Sequence, residues 1–527
     1  MSQKIKHPMS EALRRAYALG KEDETLTPLV LNDKGGYPVG RISKGDSVIF
    51  YNIRGEREIQ LTRALTDDNF DEFPVDKPLN LNFATMIEYH KSLNVQVAFP
   101  PEDAIQDTLS DIISQNNLRQ VKITEAEKAV HISFFLNGKK DNALPGEEII
   151  VVPTRKDVSL FDEAPEMSIE GITKAALEKI NDENYHFIVV NLPNVDVVAH
   201  IENDKAVIKA IEAVDRHAGI LVDAARKQGI PAIVTADHGT AEKWRYPDGA
   251  VDTGHTNSPV PLILIHPEKK FSLCPKGELA EVAPTILNIM GLHPSPLMSG
   301  SSLIENKTGS FPRARRLLLI ILDGWGLGDE NNSNLIWLAR TPVIDSLMKN
   351  YPSSKLDASG ESVGLPSGTV GNSEAGHLHI GAGRRIYSDR LKIDRTIEDK
   401  SFYQNRAFLS VMRKAHETNC ALHLMGIVSF FSSHGSINHL FTLMEMAKKE
   451  QVPQMFIHAM LGRRGELPES GALYIKKVEE KTLELELGKV ASVIGRYWSL
   501  DREENWDRIE KTYRMLIYGE GEKIPDI

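Results

Sequence analysis

Short apolar runs, many rich in β-branched residues, recur along this chain between longer amphipathic stretches. They include SVIFYNI (47–53), VHISFF (130–135), EIIVVP (148–153), FIVVNL (187–192), AIVTAD (232–237), PLILI (261–265) and RRLLLIILD (315–323). ALHLMGIV (421–428), QMFIHAM (454–460) and ASVIG (491–495) continue the series. Between them lie helical patterns such as KAVIKAIEAVDRHAGILVDAARKQG (205–229). Buried strands alternating with amphipathic helices predict an α/β fold with largely parallel sheets. The most apolar run, Leu317 to Leu322, is six residues long. That is far short of the roughly 20 needed to span a bilayer, so no membrane segment is expected.

At 527 residues the chain exceeds a single ordinary core and predicts several domains. Two stretches read as boundaries: FPPED (99–103), with its paired prolines, and the polar ENKTGSFPRAR (305–315) between two apolar runs. The net charge of −11 argues against sequence-independent nucleic-acid binding, while local cationic clusters can still hold small anions. Two cysteines far apart, Cys274 and Cys420, make neither a metal motif nor a disulfide framework, which suits a reducing cytoplasm. The opening residues MSQKIKHPMSEALRRAYALG lack the apolar core of a secretion signal. The expectation is a soluble cytoplasmic enzyme.

Candidate chemistry gathers at the ends of the predicted strands. Asp196 and His200, four apart after FIVVNL, would share one face of a helix and could reach one cation. Asp237 and His238 end AIVTAD, and Gly239 allows a sharp turn there. His255 precedes PLILI. A lone histidine is more often structural, but these five ligands fall within sixty residues, each tied to a strand end. Carboxylate and imidazole without thiolate suit manganese, magnesium or zinc, and five ligands favour two ions over one. Beyond the 305–315 stretch, RRLLLIILDGWG ends a strand on Asp323. LPSGTVGNSEAGHLHIGAGR (365–384) then places Ser373 in a glycine-rich stretch able to turn backbone N–H groups toward a phosphate.

Taken together, ILDGWG, GNSEAGH, GRYWSLDREENWDR, FYNIRGER, EKAVHISFFLNG, ADHG, GHT and the D-x-x-x-H spacing resemble the cofactor-independent phosphoglycerate mutases of the alkaline-phosphatase superfamily. The resemblance covers nearly the whole chain, but in circularly permuted order: the GHT half comes first and ILDGWG follows the 305–315 linker. It implies two α/β domains. A contiguous phosphatase-like domain would comprise 103–304 (metal-ligand half) and 316–387 (nucleophile half), and a smaller transferase domain would be split between 1–102 and 388–527. The resemblance further implies Ser373 as a nucleophile that becomes phosphoserine and Lys128 as support for the transferring phosphate. One ion would be held by Asp196, His200 and His255, and the other by Asp323, Asp237, His238 and the Ser373 oxygen. Arg54, Arg57, Arg464, Arg496, Arg502 and His434 would grip the substrate. The implied cofactors are two divalent ions, manganese foremost with magnesium, zinc or cobalt as alternatives, and no bisphosphoglycerate. The implied partner is phosphoglycerate alone, in a monomer.

Two loops depart from the family pattern. SFFSSHGSINHLF (429–441) keeps His434, Ile437, Asn438 and His439 but replaces an Asp-Gly-Gly run with Phe430, Phe431 and Ser432. LGRRGELP (461–468) keeps Arg464, with Gly465 where the family has an aspartate. These changes fall on glycerate handling and spare the metal–serine residues. They leave open a metal-dependent phosphatase or phosphotransferase acting on another small phosphate ester, or a catalytically impaired homologue.

Overall fold

The computed structural model describes residues 7–101, 104–267, 272–305, 313–430, 434–462 and 469–526. The chain divides into two compact units: one is Glu102–Ser388, and the other combines Met1–Pro101 with Asp389–Ile527. Among the described residues, no helix is long and apolar enough to cross a membrane.

The contiguous unit is built on an eight-stranded sheet. Its strand order is Lys276–Glu278, Ser353–Asp357, Val260–Ile265, Ala232–Thr235, Leu317–Leu322, Phe187–Leu192, Gln120–Glu125 and Glu147–Val152. Val260–Ile265 is antiparallel to both of its neighbours, and the other pairings are parallel. The apolar runs become strands because helices cover both faces, so every residue of Leu317–Leu322 and Phe187–Leu192 is buried. Leu317–Leu322 lies between Phe187–Leu192 and Ala232–Thr235, with Leu322 paired to Leu192 and Ile321 to Thr235. This register brings three strand ends to one edge, and the residues just beyond them are Asp323, Asp237 and the turn leading to Asp196.

The VHISFF run is not a strand. The neighbouring strand stops at Glu125, and His131–Phe135 winds into a single π-helical turn that Leu136 N closes on His131 O at 3.0 Å. The run is too short for periodicity to separate strand from helix, and Ile132 alone of its five residues is buried. Of the 305–315 stretch, Glu305 belongs to a two-residue strand, Ile304–Glu305, while 306–312 lie outside the described residues.

The second unit also carries an eight-stranded sheet, to which both chain segments contribute. Ala421–Ile427 pairs in parallel with Ser47–Phe50 on one side and Gln454–Leu461 on the other. Leu29–Asn32, antiparallel to Lys489–Gly495, and Glu522–Pro525 complete one edge, and Asn82–Ile87 with Gln96–Phe99 the other. The sheet therefore exists only when the first hundred and the last hundred-odd residues come together.

Candidate active site

At the carboxyl edge of the contiguous unit, Asp196, Asp237 and Asp323 converge around one ammonium. Lys128 Nζ lies 2.7 Å from Asp196 Oδ2, 2.8 Å from Asp323 Oδ1 and 2.6 Å from Ser373 Oγ. Ser373 opens the helix Ser373–Ala382, whose N-cap Asn372 accepts from Ala375 N at 2.8 Å. The serine hydroxyl thus sits at a helix N-terminus, where backbone N–H groups and the helix dipole favour a negative charge. Close approach requires glycine at two points. A Cβ at Gly376 would stand 2.5 Å from the Asp237 carbonyl oxygen, and one at Gly324, where φ is +84°, would stand 2.8 Å from Asp196 N.

Two groups of side chains bring ligand atoms within 4.8 Å of one another: Asp196, His238 and His255, and Asp237, Asp323 and His377. Beside the first group, His200 Nε2 is 3.5 Å from Asp196 Oδ1 and 3.3 Å from His255 Nε2, and His255 Nε2 is 3.1 Å from that oxygen. His200 Nδ1 faces the Thr253 carbonyl at 2.8 Å and His255 Nδ1 the Gly371 carbonyl at 3.0 Å. A carbonyl only accepts, so each Nδ1 carries the proton and each Nε2 offers a lone pair. With the rings neutral, two lone pairs and a carboxylate oxygen converge at one point, where either a proton or a cation can sit. The hydrogen bond to Asp196 raises His200 above its usual range, and at His255 the Asp196 carboxylate outweighs burial and raises it too.

The electrostatics point the same way. Burial alone would push Lys128 down, but the charges of Asp323, Asp196 and Asp237 outweigh it and hold the ammonium protonated. Asp196 is held well below the usual carboxylate range; burial opposes this, and Lys128 and then His238 overcome it. Asp323 is pushed up by burial and then by the charge of Asp237. One ammonium cannot balance three buried carboxylates. Asp237 Oδ2, fully buried, accepts no hydrogen bond and lies 3.3 Å from His377 Nδ1 and 3.5 Å from His238 Nε2. The donor set and the charge deficit fit two divalent ions.

Several supporting residues escape sequence reasoning. His377 places Nδ1 2.8 Å from the Ser373 carbonyl oxygen, and its Nε2 is 3.0 Å from the Asn191 amide, which also donates to Asp323 Oδ2 at 2.9 Å. Thr240 Oγ1 donates to Asp196 Oδ1 at 3.3 Å. His377 follows Ser373 by four residues, the spacing that places two side chains on one helical face; that signal was present in GNSEAGH.

In the second unit, Glu56 joins Arg54 (3.4 Å) to Arg502 (3.0 Å), and its carboxyl is held below the usual range by Arg54 first and Arg502 after. Arg57 Nη1 donates to the Leu500 carbonyl at 3.2 Å, close to the short helix Arg496–Ser499 that Arg496 begins. His434 is buried, its Nδ1 2.9 Å from Glu58 Oε1. Arg464 lies outside the described residues.

Comparison with known proteins gives two family matches. The metalloenzyme superfamily matches residues 26–294, and the family described as the BPG-independent PGAM N-terminus matches residues 393–526. The part named for a family's N-terminus thus stands last in this chain. The 2,3-bisphosphoglycerate-independent phosphoglycerate mutase of Methanococcoides burtonii is 39% identical over 300 residues, 56% of this chain and 57% of that protein. The protein of the same name from Thermomicrobium roseum is 41% identical over 311 residues, 58% of this chain and 59% of its own length. The chain therefore spans less than two thirds of the length of the curated relatives it matches. A solved phosphoglycerate mutase from Leishmania mexicana is 30% identical, with a TM-score of 0.38, covering 52% of this chain and 53% of that one. By these matches and their order, the chain belongs to the metalloenzyme superfamily, among the homologues of 2,3-bisphosphoglycerate-independent phosphoglycerate mutase, with the family's two parts permuted.

Proposed function

We propose that this protein interconverts 3-phosphoglycerate and 2-phosphoglycerate without bisphosphoglycerate, through a phosphoserine at Ser373. The observation that carries the reading is the placement of Ser373 Oγ at a helix N-terminus, 2.6 Å from Lys128 Nζ and beside both His/Asp groups. Asp196, His200 and His255 would hold one divalent ion, and Asp237, Asp323 and His238 with the serine oxygen the other, with manganese the first candidate. His238 Nε2 stands between the two groups, 2.9 Å from Ser373 Oγ, 3.5 Å from Asp237 Oδ2 and 3.7 Å from both Asp323 Oδ1 and Asp196 Oδ1. When bound, such ions neutralise charge on phosphoryl oxygens and ease deprotonation of a hydroxyl.

The protein's own groups do the rest. Ser373 Oγ gives up its proton and attacks phosphorus, the bond to the 3-oxygen of glycerate breaks, and that oxygen takes up a proton to leave as a hydroxyl, with the Lys128 ammonium placed beside the oxygens that gain charge. The retained glycerate reorients, and its 2-hydroxyl takes the phosphoryl group back from Ser373. Arg54, Arg57, Arg496 and Arg502 would bind the substrate's anionic groups, since a guanidinium fork engages two oxygens at once. Arg464 and His434 complete the proposed set, and the protein would work as a monomer.

A second reading, a phosphatase acting on another small ester, draws on the missing aspartate at Gly465 and the substituted 430–432 run. Phosphorus NMR of 3-phosphoglycerate incubated with purified protein and manganese decides between them. Formation of 2-phosphoglycerate supports the mutase; inorganic phosphate alone supports the phosphatase and sinks the mutase reading.

A further inference from the structure

Glu242 lies in the short turn Ala241–Lys243 that follows the ADHG run, and it is buried. Its carboxyl group meets three of the loops that build the centre. Thr240 N donates to Oε2 at 2.9 Å, and the Thr256 hydroxyl donates to Oε1. Thr240 follows His238 by two residues, and Thr256 directly follows His255. The third loop is the turn after Asp323: a Cβ on Gly326 would collide with the Glu242 carboxyl carbon, so the carboxyl packs against bare backbone. The bonding continues outward from these contacts. Thr256 N donates to the Gly239 carbonyl at 3.0 Å, and Thr240 Oγ1 to Asp196 Oδ1 at 3.3 Å. Between the two joined loops the rings of His238 and His255 stack with centroids 4.0 Å apart.

We propose that Glu242 is a positioning residue of the metal centre: it clamps the turn bearing His238 to the loop bearing His255, so that both imidazoles stand at Asp196 before an ion arrives. His255 Nε2 is 3.1 Å and His238 Nε2 3.7 Å from Asp196 Oδ1. A buried carboxyl bonded through both oxygens fixes its neighbours firmly, because breaking either bond strands a buried polar group. Groups that orient metal ligands in this way are commonly worth 10- to 100-fold in metal affinity. The effect on metal rests on the two-ion reading above; the clamp rests on the geometry alone.

The test uses the full chain and needs no turnover. Glu242→Leu removes both acceptors, and Thr256→Val, the milder change should that variant fail to fold, removes one hydroxyl. Before manganese is added, hydrogen exchange over residues 238–258 should quicken about tenfold in either variant while Phe187–Leu192 keeps its protection. Wild-type protection over 238–258 in the folded variants overturns the proposal. In calorimetry with manganese, affinity should fall at least about tenfold in both variants, and undiminished affinity also overturns it. Glu242→Gln keeps an acceptor for Thr240 N and can turn its amide to the Thr256 oxygen, so it should bind manganese more tightly than Glu242→Leu. Equal losses in those two variants would make the charge of Glu242 the cause and sink the clamp. A wild type that binds no manganese, with the exchange effect intact, refutes the two-ion reading and leaves the clamp standing.

Discussion

At the scale of single residues, the centre sets Ser373 and Lys128 apart by the kind of loss each should produce. Ser373→Ala should abolish phosphoryl transfer from 3-phosphoglycerate yet still bind two divalent ions per chain, measured by metal analysis after dialysis. Transfer above background in that variant would disprove the nucleophile assignment. Lys128→Met has a less obvious consequence. Its ammonium competes with any cation for Asp196 and Asp323, at 2.7 and 2.8 Å. Its removal should tighten manganese binding about tenfold by calorimetry while transfer falls, since one charge is worth several kcal/mol at such range before screening. The aspartates were legible in the sequence because each follows a buried strand, where α/β sheets present their ligands. Glu58 was not, because it meets His434 across 376 positions of chain and no local pattern links them.

At the scale of elements, the split-segment sheet holds a buried polar file across its middle strands. His423 Nε2 lies 3.1 Å from Asp46 Oδ2, His423 Nδ1 2.9 Å from His458 Nε2, and His458 Nδ1 2.8 Å from Ser492 Oγ. Burial, and then the neighbouring His423, hold His458 well below the usual histidine range. It stays neutral in the folded sheet but takes up a proton near pH 6.5 when unfolded. The stability it contributes is therefore complete above about pH 6.5 and falls as the pH drops toward the folded value, by up to about 1.4 kcal/mol per pH unit. Hydrogen-exchange protection in Gln454–Leu461, taken relative to the intrinsic exchange rate at each pH, should fall between pH 7 and 5, and His458→Gln should flatten that dependence. The four middle strands, Ser47–Phe50, Ala421–Ile427, Gln454–Leu461 and Lys489–Gly495, were readable from their apolar runs, while the four outer ones, Leu29–Asn32, Asn82–Ile87, Gln96–Phe99 and Glu522–Pro525, were not. The histidines inside those strands were not readable as partners, since neighbouring strands had first to be placed in register.

At the scale of the molecule, one unit is continuous in sequence and the other is not. Residues 102–388 contain all eight strands of their sheet and its whole main core, so this segment expressed alone should fold and bind two divalent ions. It should lack mutase turnover; a segment that is unfolded by circular dichroism would contradict this. The α/β class and the permuted order were both legible, the first from strand and helix alternation and the second from the sequence of motifs. The geometry at the strand ends was not, because it depends on which strand lies between which. That placement also constrains synthesis. Leu317–Leu322 fills the gap between Phe187–Leu192 and Ala232–Thr235, which leave the ribosome long before it. Until residue 322 emerges, those two strands have open edges facing each other across a missing neighbour, the kind of edge that invites pairing with other chains. Asp323 and Ser373 arrive later still, so the nascent chain carries its histidines exposed before it can enclose a metal. This order of synthesis makes the first three hundred residues the stretch in greatest need of a chaperone.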